Sequence, residues 1–354
     1  MFYELVLFVC HYTCTGFSMV WLDNARIIAI FAVVLLHCAA GVVSMSPFGS
    51  QSWWVGNLYD ALVRWCVPVF VMISGALLLD TAKNDSIKTF YIKRMSRILI
   101  PILFWSAFFL LYTDLIAIAE GSALQIDDFL EMIIHGVPYY HMWFLYMILS
   151  LYLFTPFFRK MIVVLSEKEI NLLIFLLFLF SAINSLAAKF GLVDSKLFVN
   201  WFLSYLPYYF LGYFIRTSDR CGSKRFWIGL FCIAVVPTIL GYYFFAKNGI
   251  IEASLYIYDY LSITVILMSI SIFYLLKGIT KPFINKNVTR TTASLTLGVY
   301  LVHPLILEPI QNSRYGPLEF NQWISIPVMA VVVFLCSLGA AWAIKRIPYL
   351  NRVI

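Results

Sequence analysis

Ten long apolar runs divide this chain, and they limit its fold more than any other feature. They cover roughly residues 22–43, 57–79, 98–119, 141–158, 171–188, 200–216, 227–246, 257–276, 293–310 and 324–344. Each approaches the ~20 apolar residues that cross a bilayer as a helix. In hydrocarbon every backbone N–H and C=O must find a partner within the protein, which a helix supplies along its own length. The runs are continuous rather than alternating, which excludes a membrane β-barrel. Of the 354 residues, 62% are hydrophobic and 12% charged, against about 45–50% and about 25% in soluble domains. A water-soluble core of this size cannot hide so much apolar surface. Soluble enzymes, nucleic-acid binders and disulfide scaffolds are thereby excluded. The expected fold is all-α: a polytopic membrane bundle of about ten transmembrane helices with no soluble domain.

The net charge of +7 follows from topology, not from a nucleic-acid partner. Of the 25 Lys and Arg residues, 19 fall in segments 80–97, 159–170, 216–226, 277–292 and the tail from 345; the alternate loops hold four. The positive-inside rule puts the first set in the cytoplasm. With an even number of spans, both termini lie there too. Trp53, Trp54, Trp201 and Trp323 fall at the opposite ends of their spans, as an interfacial belt requires.

Residues 1–18 are apolar, lack Lys and Arg, and abut the first span without room for a hairpin. They read as an N-terminal extension to a transmembrane domain over 19–354, with Met19 as the alternative start. Most of the seven cysteines lie within apolar runs at no metal or disulfide spacing and read as packing residues. No metal site is expected. The chain contains no Walker A loop, GxGxxG, HExxH or GxSxG motif, and no paired broken helices of the transporter type.

Ionisable groups at a span's centre cost about 2.5–3.5 kcal/mol on insertion scales, so the few present carry information. These are Asp23, Arg26 and His37, then Asp60 and Arg64, His141, and His303 with Glu308. Arg26 and His37 are eleven residues apart: on a helix they share a face to within about 20° and stand ~16 Å apart along the axis. A cation at the mouth above a deep imidazole suits a long ligand with an anionic head and a reactive tip. The same residues also fit a snorkelling Arg26 paired with Asp23, and a His37 bonded to a carbonyl. Asp60 and Arg64, at i,i+4, fit a self-neutralising packing pair. Arg94 and Arg97, at i,i+3, fit either a topology signal or a phosphate clamp. His141 and Trp143 open the fourth span, and Tyr300 and His303 share a face of the ninth.

Six stretches occur in order: Trp21-Leu22-Asp23-Asn24-Ala25-Arg26 with His37; Val67-Pro68-Val69-Phe70-Val71-Met72-Ile73-Ser74-Gly75; Arg94-Met95-Ser96-Arg97-Ile98-Leu99-Ile100-Pro101; His141-Met142-Trp143-Phe144-Leu145; Tyr209-Phe210-Leu211-Gly212; and Tyr300-Leu301-Val302-His303-Pro304. Together they resemble the membrane acyltransferase 3 family, and within it the single-domain O-acetyltransferases of the type acting on enterobacterial common antigen. Ile27 and Ile28 follow Arg26 where many members have Gly and then Ile or Leu, which narrows the local groove.

The resemblance implies a bacterial inner-membrane enzyme. It would move an acetyl group from cytoplasmic acetyl-CoA to a hydroxyl of a cell-surface polysaccharide or its lipid-linked precursor. It implies acyl-CoA, the glycan acceptor and membrane lipids as partners, and no permanently bound cofactor. His37 would be the catalytic base, Arg26, Arg94 and Arg97 would bind the donor phosphates, and Asp23, His141, Trp143, Tyr300 and His303 would support them or the acceptor. The alternatives are a succinyl donor, or an exporter of a glycan or lipid intermediate whose interior His and Arg line a permeation path.

Overall fold

The computed structural model describes residues 19–81, 86–119, 121, 126–189, 201–219 and 222–354; the extension 1–18 lies outside the described residues. All ten apolar runs are helical: α1 (Val20–Met45), α2 (Gln51–Val63), α3 (Cys66–Leu78), α4 (Ile87–Ala119), α5 (Ile126–Ile134), α6 (Trp143–Val164), α7 (Glu167–Lys189), α8 (Trp201–Thr217), α9 (Lys224–Lys247), α10 (Ile251–Ile257), α11 (Ile263–Lys277), α12 (Lys286–Ser294), α13 (Thr296–Gln311) and α14 (Gln322–Arg346). Among the described residues there is no strand. Seven spans are long and apolar enough to cross a bilayer, α2 and α3 counting as one; the bent pair α12–α13 adds an eighth. The shorter apolar helix α11 and the 17-residue α8 occupy the two remaining expected positions. The protein is a multi-pass membrane helix bundle.

Helix ends are fixed by polar caps. Ser50, Ser223, Ser262, Asn285 and Asn321 each accept a backbone N–H of the helix they open. Ahead of α7, Ser166 and Glu169 bond each other's backbone N–H reciprocally, a capping box.

Three features depart from a row of straight spans. The second span breaks at Arg64–Trp65. Pro68 lacks an N–H, and its ring clashes with the carbonyl four residues back, that of Arg64, so the break falls one turn before the proline. Pro237, by contrast, is absorbed within α9. The ninth span is bent by 57° where α12 meets α13 at Leu295. Segments 120–140 and 247–256, read as loops, contain the short helices α5 and α10.

α1 lies at the centre, packed against α2, α3, α11, α12, α13 and α14. The α2–α3 span is the most buried, at 72% of its apolar window, whereas α7 and α9 reach only 17% and present Leu, Ile and Phe outward as lipid-facing helices do. The closest helix pair is α3 against α8. Its contact is made by two reciprocal glycines: a Cβ at Gly75 would lie 1.8 Å from the Tyr209 carbonyl oxygen, and one at Gly212 would lie 1.9 Å from that of Met72. Membrane helices, lacking a hydrophobic drive to associate, use such small residues to bring backbones together.

One aromatic expectation needs correction. Trp53 is 2% exposed and packs against Phe48, Tyr242 and Tyr243, so it serves the core and not an interfacial belt. Trp323 is exposed as expected, and the side chain of Trp201 lies outside the described residues.

Candidate active site

α1 carries both ends of the site. Near its start, Asn24 is fully buried and donates to the carbonyls of Ile279 (3.0 Å) and Lys281 (2.9 Å), tying α1 to the segment after α11. One turn on, Arg26 Nη1 meets Asp23 Oδ1 at 3.3 Å. The pair is loose and partly exposed, so it leaves Arg26 free to meet a second anion. Arg94 of α4 and Tyr152 of α6 lie within electrostatic reach of Arg26, and Arg290 of α12 within reach of Asp23. Tyr152 in turn bonds Ser74 beside the close-packed Gly75. Three guanidinium groups and one carboxylate thus lie within electrostatic reach of Arg26 or Asp23, a locally net-positive group of a kind that attracts phosphate. Arg97 is exposed on α4, and among the described residues no contact draws it into this group. Arg290 escaped the sequence reading because only the bend between α12 and α13 brings it to α1.

Three turns along α1, His37 enters a cluster of imidazoles and phenols. Its ring centroid lies 5.2 Å from that of His303 and 5.2 Å from that of Tyr140. His141 lies 5.5 Å from His303 and 5.2 Å from Tyr300. Tyr300 donates its hydroxyl to the backbone oxygen of His141, which joins α13 to the turn before α6. The order Tyr-x-x-His places Tyr300 and His303 one turn apart, so both reach the same place.

His303 Nδ1 lies 2.7 Å from the Tyr300 carbonyl oxygen. A carbonyl only accepts, so Nδ1 carries the proton and Nε2 is left as the lone-pair nitrogen. Among the described residues, His303 Nε2 and both ring nitrogens of His141 are buried and meet no hydrogen-bond partner. Buried polar atoms are rarely left so, and three in one cluster mark a place built to meet a polar ligand.

Trp143 stacks on Tyr260 and packs at a tilt against Tyr205, beside the Phe144–Tyr300 contact. Asp60 and Arg64 pair at 2.6 Å as expected, with Arg64 also over the Tyr258 ring. The α2–α3 break leaves Arg64 within electrostatic reach of His37. A further group had no role in the sequence reading: Tyr139 donates to both carboxyl oxygens of Glu308, at 2.6 Å each. Burial and the Glu308 carboxylate hold the Tyr139 phenol well above its ordinary range, so it remains a donor. The signal available was Glu308 itself, an acidic residue within an apolar run.

The two ends of this site agree in order and spacing with the six sequence stretches. Residues 19–346 match the family model described as an acyltransferase domain, that of the acyltransferase 3 family. No curated protein and no solved structure matches the chain. The family match spans nearly the whole bundle, including both the guanidinium group and the histidine cluster, and on that ground the chain belongs to the acyltransferase 3 family and is a membrane acyltransferase.

Proposed function

We propose that this acyltransferase takes an acetyl group from acetyl-CoA at the basic face of the bundle and delivers it to a hydroxyl of a cell-surface polysaccharide or its lipid-linked precursor at the other face. One observation carries the reading: Arg26 and His37 stand on one face of α1, ~16 Å apart along its axis. Cations gather at one end and imidazoles with unpartnered nitrogens at the other. Acetyl-CoA has the same layout, with phosphates at one end of a pantetheine arm and a thioester at the other.

In this mechanism Arg26, Arg94 and Arg290 hold phosphate oxygens, with Arg97 nearer the solvent. The arm follows α1 and the thioester carbonyl reaches the cluster. His37 takes the proton of the acceptor hydroxyl as its oxygen attacks the carbonyl carbon. The C–O bond forms, the C–S bond breaks, and the imidazolium returns the proton to the departing thiolate. His303 and His141 contribute further nitrogens to hold the acceptor, and Tyr300 fixes both in place. The positive-inside bias supports a basic face and both termini on the cytoplasmic side of a bacterial inner membrane.

The test uses membranes containing the protein, labelled acetyl-CoA or labelled succinyl-CoA, and mass spectrometry of surface glycans from cells with and without the gene. Label in glycan from acetyl-CoA, with a matching acetyl mark lost on deletion, supports the reading. Transfer only from succinyl-CoA replaces the donor, and an unchanged glycan profile removes the acceptor assignment.

A further inference from the structure

The proposed chemistry leaves unexplained the carboxylate that stands beside Tyr139 and Tyr140. Glu308 is half-buried near the end of α13, and among the described residues it forms no salt bridge. One hydroxyl, that of Tyr139, donates to both of its oxygens. The single phenol proton lies between the two oxygens, and an ionised carboxylate can take about four hydrogen bonds. Tyr139 fills only part of that capacity, and Glu308 is only half-buried, so it can accept further donors.

The next residue, Tyr140, is 42% exposed. Its ring lies 5.2 Å from His37 and 5.0 Å from Tyr139. Tyr139 is itself held by stacking on Phe109 at 4.4 Å. Behind Tyr140, His141 and His303 are 2% and 0% exposed, with ring nitrogens that no protein group satisfies. Tyr140 thus connects a half-buried carboxylate on one side with the imidazole cluster and its unpartnered nitrogens on the other. A ligand complementary to all three has several hydroxyl donors on one edge and an apolar C–H face on another, which describes a sugar ring. A phosphate or a carboxylated sugar fits poorly, because Glu308 would repel it at close range.

We propose that Glu308, Tyr139 and Tyr140 form the acceptor subsite, and that it takes an uncharged pyranose. The Glu308 carboxylate receives sugar hydroxyls, Tyr140 lies against the ring's C–H face, and Tyr139 orients Glu308. This leaves another hydroxyl of the same sugar beside His37. The inference rests on the reading that the acceptor is a glycan hydroxyl and adds which kind of sugar is held and by what.

The test measures transfer from labelled acetyl-CoA by the full-length protein in membranes. The probes are methyl glycosides: neutral methyl glucoside, methyl galactoside and methyl N-acetylglucosaminide, against anionic methyl glucuronide. The expected result is labelling of at least one neutral glycoside well above the glucuronide. Glu308→Gln should raise the acceptor KM about tenfold or more, the loss typical of a hydrogen bond to a charged group, while the KM for acetyl-CoA stays within about twofold. Tyr140→Leu gives a second, independent variant with the same expected split, and Tyr139→Phe should move the acceptor KM in the same direction. A wild type that prefers the glucuronide overturns the proposal, as do variants that alter the KM for acetyl-CoA and leave the acceptor's unchanged. If the wild type labels none of the four glycosides while consuming acetyl-CoA, the glycan reading itself falls and the subsite with it. That result is distinct from labelling that ignores Glu308, which removes the subsite alone.

Discussion

Alanine at Gly75 tests the close backbone contact between α3 and α8. The added methyl would sit 1.8 Å from the Tyr209 carbonyl oxygen, so α3 and α8 must part by more than about 1 Å before it fits at ordinary contact. The obstacle is backbone, which cannot turn aside as a side chain can. Overpacking of this kind costs about 1–3 kcal/mol, against a gain of about 0.5–1 kcal/mol from replacing glycine in a helix interior. With a backbone obstacle the steric cost lies at the upper end, leaving a net loss of about 2 kcal/mol, roughly thirtyfold in the folded-to-unfolded ratio. Gly212→Ala should behave alike, with its methyl 1.9 Å from the Met72 carbonyl oxygen. The two sites share one interface. Once either methyl has parted the helices, the second adds little, so the double variant should lose clearly less than the two singles summed. Fluorescence-detected size-exclusion chromatography of detergent-solubilised protein after a temperature series measures all three. Single variants as stable as wild type, or fully additive losses, would refute the close approach of α3 and α8.

The chemistry and topology give further expectations. His37→Ala and His37→Gln should each lower acyl transfer by about 10²–10⁴-fold with normal abundance in the membrane, His141→Ala should lose less and His303→Ala least; near-normal turnover by His37→Ala contradicts its role as base. Arg94→Ala should raise the KM for acetyl-CoA more than Arg97→Ala does, because Arg94 lies within reach of Arg26 whereas Arg97 is exposed; Arg94→Lys should rescue in part, since ammonium cannot make the bidentate contact, and wild-type KM and turnover in both alanine variants would show the cluster to be a topology signal only. In a cysteine-free background, Gly222→Cys and Ile284→Cys should react with an impermeant thiol reagent only in inside-out vesicles; labelling of either in intact cells contradicts the assigned orientation.

Much of this architecture is legible in the sequence because the bilayer acts locally. Each apolar run is helical for reasons confined to its own residues, and the phase of Arg26 to His37 follows from helix geometry alone. The break before Pro68 was readable in kind but not in place, since the clash lands four residues upstream at Arg64. Bends and partners at long range were not readable. Arg290 joins the mouth only because α12 and α13 meet at 57°. Tyr139 and Glu308 are 169 residues apart, and nothing local to either names the other. Trp53 looked interfacial from its position at a span's end, yet Phe48, Tyr242 and Tyr243 enclose it.

The hydrogen bonds from Asn24 have a consequence for biogenesis. Asn24 stands four residues into α1, yet its acceptors at Ile279 and Lys281 are synthesised more than 250 residues later. At about 5–20 residues per second, the amide spends on the order of ten seconds or more inserted without its native partners. The helix that carries the site is thus inserted well before it is locked. During that interval its polar face must be accommodated by the insertion machinery, by lipid headgroups or by neighbouring helices already delivered. Slow or stalled synthesis before α11 therefore leaves an inserted chain whose central helix is unsecured, a natural substrate for membrane quality control.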